Sequence, residues 1–61
     1  MRIYIITSID KTSQKEFVED FFLGQEVFTS KDEAEGYSVD AYKRYNGTRR
    51  ILLHEFDTEV P

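Results

Sequence analysis

Sixty-one residues make one domain, of a size that buries only roughly 60% of the surface its unfolded chain exposes, so a large enclosed pocket is not expected. The absence of cysteine excludes disulfides and thiolate metal sites, and the chain must hold itself by packing or by association. The formal charge of −4 conceals a strong polarity. Glu16, Glu19, Asp20, Glu26, Asp32, Glu33, Glu35 and Asp40 stand against a single Lys31, a local charge of −7, and Lys43, Arg44, Arg49 and Arg50 follow with no acid among them. A field of that shape selects partners by sign.

The opening run Ile3-Tyr4-Ile5-Ile6 is β-branched and aromatic and predicts a first strand, ended by the polar cluster Asp10-Lys11-Thr12-Ser13. It is too short for a signal peptide or a membrane span, and the sequence is read as a soluble protein of the cytoplasm with no membrane partner. Residues 13–28 admit two readings. Ser13 and Glu16 have capping-box spacing, Phe17/Phe21 and Val18/Phe22 are i,i+4 pairs and Gly24 offers a stop, which would give a short extra helix over 13–23. The strand-forming composition instead favours a long second strand, bulged near Gly24.

Ser30 precedes Glu33 by three residues, a second capping-box spacing, and predicts a helix beginning at Lys31. Asp32 and Glu33 suit the positive end of its dipole, Lys43 and Arg44 the negative end, and Asn46-Gly47 supplies a left-handed stop. Ala34, Tyr37, Ser38, Ala41 and Tyr45 share one side of that helix, while Gly36 weakens it or marks a close backbone approach. A last strand follows over Arg50–Phe56. The expected fold is α+β, a small antiparallel three-stranded sheet with one principal helix in the order β-β-α-β, forming a single domain over 1–57 with a frayed tail at 58–61.

With the first strand central and one helix to cover one face, the second face of the sheet is left apolar. Side chains and loop, a homodimer or another protein could cover it. Catalysis finds no motif. His54 is the lone histidine, its neighbours Glu55 and Asp57 point to the other face of an extended strand, and no nucleophile elbow, phosphate loop or calcium loop is present. No cofactor or metal is expected. Lys43, Arg44, Arg49 and Arg50 form an alternative interface, but four bases in an acidic chain make a poor nucleic-acid site, and helix-end and cross-strand pairing account for them.

The stretch from Glu26 to Glu35, leading through Tyr37 and Tyr42 into a basic and apolar strand, resembles the strand-cap-helix-strand core of small phage-type host-takeover proteins. Some of those inhibit bacterial RNA polymerase or HU-type nucleoid proteins. The resemblance implies a non-enzymatic inhibitor acting in the bacterial cytoplasm. On that reading, the eight acids Glu16 to Asp40 would occupy the DNA-binding surface of an HU-type protein by mimicry. The alternatives are an RNA polymerase inhibitor acting through the aromatic and basic side, and a basic-patch nucleic-acid binder.

Overall fold

A computed structural model describes residues 1–58. It is an α+β arrangement of strands β1 (Arg2–Asp10), β2 (Glu16–Val18) and β3 (Val27–Phe28), helix α1 (Lys31–Tyr45) and strand β4 (Arg49–Asp57), with a 3-10 turn at Phe22–Gly24. β1 is central and every pairing is antiparallel. One edge of β1 pairs with β4 along its whole length, from Arg2 opposite Asp57 to Asp10 opposite Arg49. The other edge takes β2 at Thr7–Ile9 and β3 at Tyr4–Ile5.

The sheet has four strands where three were expected because the second strand is split. Val18 lies opposite Thr7 and Val27 opposite Ile5, so Glu19 to Glu26 occupy the space facing Ile6 alone. The Glu19 N–H takes the Ile6 carbonyl at 2.8 Å, and the chain then leaves the sheet. Bonds from the Phe21 N–H to the Gln25 carbonyl and from the Gly24 N–H to the Phe21 carbonyl close the excursion, with Leu23 and Gly24 at φ of 57° and 74°. The long-strand reading therefore describes the path but not the interruption.

The helix over 13–23 does not form. Ser13 belongs to the turn after β1, where the Asp10 carboxylate accepts the N–H groups of Thr12 and Ser13 at 2.8 and 2.9 Å. Those two backbone donors hold the Asp10 carboxyl below its ordinary value. Beyond the turn the free edge of β1 offers backbone partners, and the β-branched and aromatic residues that follow accept them.

α1 runs from Lys31 as its caps predict. The Ser30 hydroxyl accepts the Glu33 N–H at 3.3 Å, and Asn46 adopts a left-handed conformation at the other end, followed by Gly47 at φ 81°. Ala34 and Ala41 are fully buried, and their small side chains let the helix lie close to the sheet. Tyr4, Ile6, Phe28 and Ala34 form the core, with Phe21, Tyr37 and Ile51 packed against it. The rings of Phe28 and Tyr37 stack at 5.1 Å, and Phe21 meets Phe28 edge-on at 5.7 Å.

Gly36 marks no close approach, since a Cβ built there meets nothing within 4 Å. Gly36→Ala is therefore expected to stabilise the domain by about 0.8–1.0 kcal/mol, read as a higher urea midpoint at unchanged m-value. A fall in the midpoint would contradict that placement.

Thr58, expected to open a frayed tail, is tied to the other end of the chain. Its N–H donates to the Met1 carbonyl at 2.8 Å, and the Met1 amino group donates to the Thr58 carbonyl at 3.0 Å. The rest of that expected tail, 59–61, lies outside the described residues. Among the described residues no helix is long and apolar enough to cross a membrane.

Candidate functional site

Strand alternation and helix periodicity distribute the eight acids over three environments. Asp32, Glu33, Glu35 and Asp40 are exposed on the outer side of α1, and Glu33 and Asp40 flank a shallow depression with Gly36 and Tyr37. Asp20 and Glu26 are exposed on the excursion between β2 and β3. None of these six takes part in a salt bridge among the described residues.

Glu16 and Glu19 do not belong with them, contrary to the expectation of one acidic face. Glu16 is paired with Ile9 and so projects from the side of the sheet opposite α1, where its carboxylate accepts the Thr7 hydroxyl at 2.8 Å and lies 3.7 Å from His54 Nε2. Glu19 is buried, at 5% exposure. The bond from its N–H to Ile6 turns its side chain under the end of α1, where Oε2 accepts the Ser8 hydroxyl at 3.2 Å. Arg44 and Arg49 bring Nη1 atoms to 3.8 and 4.0 Å from the carboxylate.

That buried acid also dismantles the expected basic interface. Arg49 donates to the Ser8 hydroxyl at 3.3 Å and lies over the rings of Tyr45 and Phe17, at 4.3 and 4.9 Å, while Arg44 lies over Phe21 at 5.4 Å. Both guanidinium groups are thus occupied within the fold. Lys43 and Arg50 remain exposed, on α1 and on the opposite face of the sheet, so the four bases present no common surface. No sequence signal separated Glu19 from its neighbour Asp20, because an acid between apolar pairs has the same appearance whether it faces water or two arginines.

Glu19 also acts on Tyr45. Its Oε1 completes no hydrogen bond among the described residues, which leaves an acceptor available to the Tyr45 phenol. The pull of that acceptor on the phenol proton, then burial and the like charge of Glu19, raise Tyr45 above its ordinary value of 10.0. The unfolded chain releases this proton first, so the associated stability is intact below pH 10 and is lost as the pH rises through the folded value. Absorbance titration of the tyrosines is expected to show a late component that moves to lower pH in Glu19→Gln. Identical titration in both proteins would separate Tyr45 from Glu19.

Comparison with protein-family models, with curated proteins and with solved structures finds no match. The functional reading therefore rests on the residues themselves.

The face of the sheet away from α1 carries one polar constellation. His54 Nε2 and the Thr7 hydroxyl are 2.9 Å apart and Thr7 donates to Glu16, beside a groove of about 390 Å³ lined by Ile5, Thr7, Glu16, Val18, His54 and Phe56. The neighbours of His54 in sequence point away, and its partners arrive across the strands, from β1 and β2. The hydroxyl stands between imidazole and carboxylate, whereas nucleophile activation places the base in the middle. Thr7 is in addition only 7% exposed. Among the described residues no group of three or more His, Asp or Glu side chains could hold a metal ion.

Proposed function

We propose that this protein is a small protein-binding inhibitor that presents the outer side of α1, with Asp20 and Glu26, to the nucleic-acid-binding surface of a basic bacterial protein, an HU-type nucleoid protein being the named target. The observation that carries the reading is that, among the described residues, none of six exposed acids takes part in a salt bridge, while Arg44 and Arg49 lie against buried Glu19. Lys31, one turn before Glu35, and Lys43 and Arg44, one turn after Asp40, temper this negative surface without forming salt bridges to it. Asp32 to Asp40 set four carboxylates along about 12 Å of helix axis, at uneven axial steps of about 1.5, 3 and 7.5 Å, a dense negative surface rather than a regular phosphate-like repeat. On this reading the protein works in the bacterial cytoplasm and makes no contact with nucleic acid itself.

The test is competition. The protein should displace labelled duplex DNA from a purified HU-type protein, with affinity falling steeply between low and physiological salt. The variant carrying Asp32→Asn, Glu33→Gln, Glu35→Gln and Asp40→Asn should bind about tenfold to a hundredfold more weakly. Undiminished binding by this variant, with folding verified by circular dichroism, would overturn the proposal. The readings through the basic side, toward RNA polymerase or nucleic acid, retain only Lys43 and Arg50 as free charges, and no observation favours them.

A further inference from the structure

The face of the sheet opposite α1 is largely apolar, interrupted at its centre by Thr7 and His54, with Glu16 and Arg50 in the row at one end. β1 contributes Ile3, Ile5 and Ile9 to it, and Val18, Val27 and Phe56, all substantially exposed, come from the flanking strands. At the Ile9 level Glu16 stands on one side and Arg50 on the other, an acid and a base in the same cross-strand row, one on each edge strand.

We infer that this face is a self-association surface, on which a second copy packs face to face about a two-fold axis parallel to β1. Such an axis keeps each row at its own level and exchanges the two edges of the sheet. Glu16 then meets Arg50 of the second copy, and Arg50 meets its Glu16. Ile9 falls over its own equivalent in that row, and in the rows below Val18 falls over Leu52 of the second copy, Val27 over its His54, and Ile5 over its own equivalent. The other axis available to facing sheets, in the sheet plane and across the strands, would lay the Glu16–Arg50 end over Ile3 and Phe56 and leave both charges against hydrocarbon. Of these two arrangements the first is the one that pairs the charges.

The polar groups at the centre do not oppose burial. His54, Thr7 and Glu16 bond to one another, and the charge left on Glu16 is met from across the interface. Two nine-residue strands and the five residues of β2 and β3, about 4.8 Å apart, present roughly 375 Å² of projected area per copy, about 750 Å² for the pair before side-chain relief is counted. That is the scale of a weak, concentration-dependent dimer rather than an obligate one. Because α1 covers the other face, this inference is independent of the acidic-surface reading, and either can fail alone.

Sedimentation velocity on the purified protein from about 10 μM to about 1 mM should show a shift from monomer to dimer. Glu16→Lys and Arg50→Glu should each weaken the dimer about tenfold or more, since each places like charges in contact. An equimolar mixture of the two variants rebuilds both opposite-charge pairs in the heterodimer and should recover dimerisation that neither shows alone. Glu16→Lys also removes the acceptor of Thr7. Should it fail to fold, Arg50→Glu and Val18→Lys must each weaken the dimer instead. A wild-type protein that stays monomeric to about 1 mM, a dimer indifferent to these substitutions, or a mixture no better than its parts overturns the inference.

Discussion

Phe28→Ala is expected to remove most of the stability of this domain. Phe28 is 0% exposed, stacks on Tyr37 and meets Phe21, and is half of a strand only two residues long. Its pairing with Tyr4 holds the returning chain against β1. Truncating a buried phenylalanine costs about 3–5 kcal/mol. At about 0.05–0.15 kcal/mol per residue, a 61-residue chain has roughly 3–9 kcal/mol to lose. Thermal melting by circular dichroism should show a broadened transition at much lower temperature, with residual unfolded protein at 25 °C. A loss below about 1 kcal/mol would mean that the aromatic cluster is not the centre of the core.

Arg49→Ala is expected to cost about 3 kcal/mol, against less than about 0.5 kcal/mol for Arg50→Ala one residue away. Arg49 is a counterion of buried Glu19, a donor to Ser8 and the cation over Tyr45 and Phe17, whereas Arg50 is exposed and makes no ion pair among the described residues. Removing Arg49 leaves a buried carboxylate facing Arg44 alone, at 3.8 Å and half exposed. The double variant Glu19→Gln with Arg49→Ala should lose less than the sum of the single changes, because the first removes the charge that the second strands. Urea titration of the four proteins measures this coupling. Strict additivity would show that Arg49 acts through its ring contacts and not through Glu19.

Those two sites differ in how far they could be read from the residues alone. Phe28 lies next to the Ser30 cap, and the helix from Lys31 to Tyr45 was legible because both of its ends carry local chemistry: a hydroxyl three residues before Glu33 and an Asn-Gly stop. The order of elements, the central position of β1 and the uncovered sheet face followed from alternation and connection length. The split of the second strand did not. Phe17 to Phe28 contains strand-forming residues throughout, and what interrupts them is the register against β1, a pairing between distant parts of the chain.

The candidate site inherited that blind spot. Helix acids sit where their spacing places them, whereas Glu16 and Glu19 depend on the split strand and end on opposite sides of the sheet, one beside His54 and one under Arg44 and Arg49. The environment of an acid in a strand is set by its register, which composition does not carry.

The pairing of β1 with β4 also orders events in time. Its register joins residues 55 positions apart at one end and spans both strands fully. β1 is synthesised before every element it pairs with, so one edge of the central strand stays unsatisfied until Asp57 has cleared the ribosome exit. Closure of that edge is non-local, and is expected on the millisecond-to-second scale rather than in microseconds. During that interval Ile3 to Ile9 form an open β edge, so the nascent chain, more than the finished domain, is the form most exposed to aggregation.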